Sequence, residues 1–230
     1  MKCVILAGGK GRRLQPFTTT IPKPLFPIGE KPILQIIIEQ LKTFGISEIT
    51  ISLGYLGGLI QAFFGNGSKF GSSIDYVMEH EPLGTAGALS LLPTIEGDFI
   101  FMNGDILTTL DFNKAIRFHQ EHANVMTICT YKKRVKSSLG VLEINASDDV
   151  IHYLEKPENV YLVSSGIYIL NAKVRSFVGL NEKIDLPHLV MRLIEKGEKV
   201  KSFSIEGDWF DIGTPEDFEL ALKYFESKNP

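Results

Sequence analysis

The chain has 230 residues, 44% of them hydrophobic and 22% charged, which is enough apolar content for one substantial core and favours one large α/β unit over two small ones. Its formal net charge of −3 gives no general basic field of the kind a nucleic-acid-binding face needs. Only Cys3 and Cys129 are present, both in apolar stretches, and no run reaches the roughly eighteen apolar residues of a membrane span, so the expectation is buried thiols and a cytoplasmic protein without a leader or a membrane partner.

Cys3-Val4-Ile5-Leu6 predicts a buried strand that breaks at Ala7 into Gly8-Gly9-Lys10-Gly11-Arg12-Arg13. A strand opening into such a loop offers bare backbone N–H groups to an anion. Lys10, Arg12 and Arg13, followed by Lys23 between Pro22 and Pro24, add charge that suits a triphosphate. Taken alone, Gly-Gly-x-Gly serves equally as an ordinary strand-to-helix turn with solvated cations. No Gly-Lys-[Ser/Thr] follows, so this is not a P-loop, and Leu14 occupies the third glycine position of the dinucleotide fingerprint, which counts against a nicotinamide-dependent oxidoreductase.

Ile33, Ile36, Ile37, Leu41 and Phe44 recur at helical spacing after Lys31-Pro32, and Gly45 is placed to end that helix. Residues 49–53 read as a strand, 55–64 as a helix closed by Gly65-Asn66-Gly67-Ser68, and 74–77 as a third strand. Strand, helix, strand, helix, strand is the pattern of right-handed crossovers in a parallel sheet, whose carboxyl ends bind nucleotides. After a Gly-rich loop at 79–87, an apolar strand at 99–102 ends in Asn103-Gly104-Asp105. Asp105 in that place can hold Mg²⁺ against phosphate oxygens or cap the next turn.

Residues 111–122 predict a helix whose His119 and His122 lack the spacing and third ligand of a zinc site. A strand at 125–131 then meets the charge run Lys132-Lys133-Arg134-Val135-Lys136, expected to be a solvated loop. Strands follow at 139–143, 150–154 and 161–170, then a helix at 185–196 whose Leu186, Leu189, Val190, Leu193 and Ile194 read as a core stripe, and a strand at 199–205. Residues 209–218 join a strand to a last helix, with Thr214 as N-cap, Pro215 at its first turn and Trp209 in a packing role.

The order Leu6-Ala7-Gly8-Gly9-x-Gly11-x-Arg13-Leu14, then Pro22-Lys23-Pro24, resembles the signature of the sugar-1-phosphate nucleotidylyltransferases. The match continues through EPLGTAGAL at 81–89, NGD at 103–105, EKP at 155–157, SSGIY at 164–168 and WFDIGTPEDF at 209–218, and it looks closest to the mannose-1-phosphate guanylyltransferase type. The resemblance implies a Rossmann-like three-layer sandwich with a mixed, mostly parallel central sheet. It implies one catalytic domain over 1–230, with a nucleotide-binding part over about 1–110 and a sugar-phosphate-binding part over about 111–230.

The implied activity is transfer of a nucleotidyl group from an NTP to a sugar-1-phosphate with release of pyrophosphate. A homo-oligomer is an open possibility, and so is a non-catalytic binding subunit of the same fold. The resemblance makes Arg13, Lys23 and Asp105 catalytic, with Mg²⁺ on Asp105 and Asp211. Leu6, Ala7, Gly8, Gly9, Gly11, Arg12, Glu79, Pro82, Gly84 and Thr85 would bind the nucleotide; Gly140, Glu155, Lys156, Ser164 and Gly166 would bind the sugar phosphate. Position 12 departs from the usual Thr or Ser, and Ser164 from the usual Asn. A carboxylate at Glu79 can accept from both the N1–H and the amine of guanine, whereas uracil and thymine offer one donor, which favours GTP over UTP or dTTP on a hexose-1-phosphate.

Overall fold

A computed structural model describes residues 1–228. The chain runs β1 (Lys2–Ala7), β2 (Pro27–Ile28), β3 (Lys31–Pro32), α1 (Ile33–Thr43), β4 (Glu48–Leu53), α2 (Gly57–Phe64), β5 (Ser73–Met78), α3 (Gly84–Gly87), β6 (Asp98–Asn103) and β7 (Ile106–Thr108). It continues through α4 (Phe112–Glu121), β8 (Met126–Lys136), β9 (Val141–Ile144), β10 (Val150–Leu154), β11 (Glu158–Asn171), α5 (Leu186–Glu195), β12 (Val200–Ser204), β13 (Trp209–Asp211) and α6 (Pro215–Lys228).

Seven strands form one sheet in the order β12-β8-β11-β6-β1-β4-β5. β1 pairs in parallel with β4 and β6, β4 with β5, and β12 with β8; β11 alone runs against its neighbours β6 and β8. The side-chain alternation of β1 divides the interior into two layers. Cys3 and Ile5 face a core closed by Ile33, Ile37 and Leu41 of α1, Ile60 of α2, Phe112 of α4 and Ala221 of α6. Val4 faces the opposite core, with Phe99 and Phe101 of β6 and Leu189 and Leu193 of α5. Helices on both faces of a mostly parallel sheet make the expected three-layer sandwich.

Local signals were followed closely. Gly45 takes a φ of 76° just past α1, a conformation an L-residue resists. Thr214 and Asp217 form reciprocal bonds at the start of α6, with Thr214 Oγ1 donating to Asp217 Oδ2 at 2.9 Å and Asp217 N donating to Thr214 Oγ1 at 3.2 Å. Both cysteines are buried, and burial pushes the Cys129 thiol up to about 12 and Cys3 higher still.

Two expectations are corrected. The charge run 132–136 is strand, not loop: it forms the outer half of β8 and pairs with β11 from Leu162↔Lys132 to Glu158↔Lys136. Backbone pairing sets its conformation while the charged side chains remain in water. Ile194 is 51% exposed and does not join the stripe of α5, which rests on Leu186, Leu189 and Leu193. The histidines of α4 face different partners. His119 Nδ1 lies 2.9 Å from the Thr127 hydroxyl, while His122 packs on the Phe118 ring at 4.3 Å.

Candidate functional site

The carboxyl ends of β1, β4 and β6 open on a cavity of about 870 Å³. Its floor is the loop after β1. The Thr18 hydroxyl donates to Gly11 O at 3.0 Å, and Gly11 has a φ of 57°, with space for a Cβ taken by Thr18 Cγ2 at 2.8 Å. Gly8 lies against Gly54, so closely that a Cβ on Gly54 would come 2.8 Å from Gly8 O, and Tyr55 N donates to that same carbonyl at 3.2 Å. The end of β4 therefore braces the glycine loop, whose Gly9 faces open space.

A charge cluster stands at one side. Lys23, 9% exposed, donates from Nζ to Asp105 Oδ2. The second oxygen, Asp105 Oδ1, is shut off from solvent without a hydrogen-bond partner. Ile212 N donates to Asp105 O at 3.1 Å and β13 pairs Asp211 with Ile106, which brings the two acids into one site. Burial raises the Asp211 carboxyl above the usual range and the Asp105 charge adds to this, while Lys23 and Arg13 pull it back. The Arg13 guanidinium lies over Gly213, where a Cβ would come within 3.1 Å of Nη2.

These residues fit a magnesium ion. An orphaned carboxylate oxygen with a second carboxylate nearby supplies hard oxygen donors, and among the described residues no group of three or more His, Cys, Asp or Glu side chains competes for a metal. Mg²⁺ characteristically takes one or two protein carboxylates and completes its shell with water and phosphate.

The opposite end of the cavity is built around Glu79. Its N–H donates to Leu53 O at 2.7 Å, its Oε1 accepts from the Ser52 hydroxyl at 2.6 Å, and its Oε2 accepts a long 3.5 Å bond from Leu83 N. The following loop is seated on the start of α5: Ala86 N and Gly87 N donate to Ile184 O at 3.0 and 3.1 Å. Asp185 accepts from Thr85 N at 2.9 Å and from its hydroxyl at 3.3 Å, so Thr85 lines the cavity with both its polar groups already engaged.

All of the residues expected to bind nucleotide line this cavity, together with Arg13, Lys23 and Asp105. The five expected at the sugar phosphate do not. Gly166 has a φ of 78° and abuts Asn103, a cavity residue, whereas the Ser164 hydroxyl is 2.7 Å from that of Tyr168. Gly140, Glu155 and Lys156 lie where the β8–β11 ribbon bends into the β9–β10 hairpin. Glu155 and Lys156 are 3.7 Å apart with exposed side chains, and the Tyr153 ring covers Gly140. Their position depends on a two-stranded ribbon rather than on the core.

Gly54, Tyr55 and Asp185 line the cavity although they lie outside every motif read from the sequence. The preference of ligands for strand carboxyl ends pointed to Gly54 and Tyr55, which follow β4 directly. Asp185 stands just before Leu186-Pro187, a helix-cap position, yet its carboxylate serves Thr85 and not its own helix.

A doubly covered, mostly parallel sheet with a glycine loop, a basic cluster and paired carboxylates at its strand ends is a nucleotide-handling α/β fold. The chain belongs to the nucleotidyl transferase family, whose sequence profile matches residues 2–228. It is 34% identical over 246 residues to a mannose-1-phosphate guanyltransferase of Yarrowia lipolytica, with 100% of this chain and 66% of the relative covered. It is 31% identical over 243 residues to a UTP–glucose-1-phosphate uridylyltransferase of Synechocystis, covering 97% of this chain and 63% of that protein. The chain thus spans slightly less than two thirds of the length of these relatives. Among solved structures it resembles HddC from Yersinia pseudotuberculosis complexed with GMP-PN, with a TM-score of 0.73, 30% identity, and coverage of 97% of this chain and 99% of that one. It also resembles a putative glucose-1-phosphate thymidylyltransferase from Bacillus anthracis, with a TM-score of 0.79, 25% identity, and coverage of 97% and 94%. Among the described residues no helix is long and apolar enough to cross a membrane.

Proposed function

We propose that this protein transfers a guanylyl group from GTP to a mannose- or heptose-like sugar-1-phosphate, releasing pyrophosphate. The observation that carries the reading is the layout of the cavity: Arg13, Lys23 and Asp105 line it past β1 and β6, with Asp211 close enough to feel their charges, and the Glu79 carboxylate lines it past β5, against Gly8 of the glycine loop. Family membership and the guanyltransferase relatives support the transferase chemistry, and the GMP-PN complex of HddC supports the guanine.

In the reaction an oxygen of the sugar-1-phosphate attacks the α-phosphorus. The new P–O bond forms as the bond to the β-phosphate oxygen breaks, and the electron pair leaves with pyrophosphate. A phosphate monoester with a second pKa near ~6 is largely dianionic at neutral pH, so no general base is needed. The barrier the protein can lower is repulsion between two polyanions, by positioning and neutralisation. Arg13 and the N–H groups about Gly8, Gly9 and Gly11 hold the leaving phosphates. Lys23 sits against the α-phosphate, and Lys156 orients the attacking phosphate. Asp105 and Asp211 would hold Mg²⁺, which supplies charge neutralisation and polarises the phosphoryl oxygens when bound.

Pyrophosphate release tests this, with GTP, UTP, dTTP, CTP and ATP each offered against a panel of sugar-1-phosphates in the presence of Mg²⁺. Release dominated by GTP with a manno-configured acceptor is expected. Release with UTP or dTTP instead would overturn the role of Glu79 but keep the charge cluster, and no release with any pair would overturn the transferase reading.

A further inference from the structure

Asp185 stands just before α5, where a capping side chain would turn back on the N–H groups of its own helix, yet no such bond forms. Its Oδ1 instead accepts from Thr85 N at 2.9 Å and from the Thr85 hydroxyl at 3.3 Å, and that hydroxyl accepts in turn from Leu186 N at 2.8 Å. Thr85 thereby takes over the capping, and Asp185 joins the wall of the nucleotide cavity. Among the described residues no group bonds its other oxygen, Oδ2. The position is held from both sides. Ile184 N donates to Leu83 O at 2.8 Å, and Arg192 clamps Glu182 behind it, with Nη2 donating to Oε1 at 2.6 Å and Nη1 to Oε2 at 3.0 Å. Gly84 keeps the loop side of the acid bare, since a Cβ there would stand 2.8 Å from Asp185 Oδ1. Glu79 and Asp185 therefore hang from one turn of the loop: Leu83 N meets Glu79 Oε2 and, two residues on, Thr85 N meets Asp185 Oδ1.

The chemistry of the base decides what a second acid in this place can read. Along the edge that Glu79 would face, guanine presents O6, N1–H and an exocyclic amine with two hydrogens, whereas uracil and thymine present a carbonyl, N3–H and a second carbonyl. The two patterns differ only at the last place, a donor in one and an acceptor in the other. Glu79 has Oε1 engaged by the Ser52 hydroxyl at 2.6 Å, so it can serve N1–H and at most the amine hydrogen beside it, and it can accept the N3–H of a pyrimidine too. We propose that Asp185 is a second base-reading residue: its Oδ2 accepts from the exocyclic amine of guanine and repels the carbonyl that a pyrimidine sets in the same place. The inference rests on the guanylyl reading above and names the residue that makes it selective.

ITP, which is GTP without the exocyclic amine, isolates this contact. Calorimetric titration of the full chain with GTP, ITP and UTP in Mg²⁺ buffer needs no acceptor sugar, and pyrophosphate release with the same nucleotides runs alongside. The wild type is expected to bind GTP about 10- to 100-fold more tightly than ITP. Asp185→Asn keeps an oxygen for Thr85 and sets an amide NH₂ in place of Oδ2, so the loop stays seated while the GTP-to-ITP ratio falls to near unity and UTP binding rises by several-fold. Thermal melting confirms that the variants are folded. Were Asp185 only an anchor for Thr85, Asp185→Ala would weaken GTP and ITP by the same factor, and that result would overturn the proposal. A wild type that does not distinguish GTP from ITP, or an Asp185→Asn protein that still does, would overturn it as well. A GTP preference lost in Asp185→Asn, with no pyrophosphate released against any sugar phosphate, would support this inference while overturning the transferase reading. Release with UTP and not with GTP would overturn both.

Discussion

Ser52 donates its hydroxyl to Glu79 Oε1 at 2.6 Å, and the serine is completely buried in β4 while the glutamate stands at the cavity just beyond β5. A donor fixed by the core thus holds one carboxylate oxygen and sets the plane of the group, while Oε2, met only by the long 3.5 Å bond from Leu83 N, keeps capacity for the ligand. With guanine as that ligand, Glu79→Gln replaces one acceptor by a donor opposite two donors of the base. The expected loss in kcat/KM for GTP is about 10- to 100-fold, with a much smaller change for UTP. Ser52→Ala leaves the carboxylate in place but loosens it, so KM for GTP should rise by several-fold and kcat should hold. Steady-state kinetics with both nucleotides check this, and an unchanged GTP-to-UTP ratio in Glu79→Gln would discard the base-reading role.

Much of this frame was legible in the sequence. Ile33, Ile37 and Leu41 announced the buried face of α1, and Gly45 its end, because both are local effects of period and backbone conformation. The glycine loop and the Pro22-Lys23-Pro24 segment were also readable, since their chemistry is carried by residue type. What could not be read depended on remote partners. The strand at 132–136 exists because β11 pairs with it, and Asp185 reaches the site through a bond to Thr85 spanning 100 residues. Gly140, Glu155 and Lys156 were expected beside the sugar phosphate, yet they lie on an arm whose placement the core does not fix.

The two acids of the charge cluster should respond differently to neutralisation. Asp105 is the counter-ion of buried Lys23, so Asp105→Asn is expected to destabilise the metal-free protein by about 1–3 kcal/mol. Asp211 has its carboxyl raised by burial and by Asp105, so the folded state holds a proton that the unfolded chain releases sooner. Its ionised form therefore opposes folding, and that penalty is complete above the folded pKa. Asp211→Asn should raise Tm near neutral pH in the absence of metal. Both variants should lose turnover by roughly 10³-fold or more if the pair holds the catalytic ion. Melting with and without Mg²⁺ checks the assignment: the ion should stabilise the wild type and neither variant, and a wild-type response in either would count against it.

His119 is buried, with Nδ1 against Thr127 and Nε2 at 3.5 Å from Asp98 Oδ1. Burial lowers its pKa below the ordinary histidine value, and Asp98 opposes that shift only in part. Between the lowered folded pKa and about 6.5, the unfolded chain binds the proton that the folded protein refuses. The contribution of His119 is therefore fully present above the unfolded pKa and is lost as pH falls through that window. Urea unfolding midpoints measured at a series of pH values below 7 should decline in the wild type. His119→Gln should flatten that decline whatever it does to stability at neutral pH, and an unaltered slope would exclude His119 as its source.

Gly84 and Gly9 separate the two uses of glycine in this site. Gly84 has a φ of 80° and lies so close to the start of α5 that a Cβ would come 2.6 Å from Ile184 O. Gly84→Ala combines an unfavourable backbone region with a clash against a carbonyl that also anchors Ala86 N and Gly87 N, so the loop must lift from α5. A stability loss of about 1–3 kcal/mol and a clear rise in KM for the nucleotide are expected. Gly9 has nothing within 4 Å of a built Cβ and no left-handed backbone, so Gly9→Ala should fold with nearly unchanged stability. Its methyl would instead occupy the open space over the loop that the phosphates are to enter, and nucleotide affinity should fall. Calorimetric titration of both variants, with Tm measured alongside, distinguishes a glycine needed for the fold from one needed for the ligand. A Gly9→Ala protein that binds nucleotide as tightly as the wild type would move the phosphates away from that part of the loop.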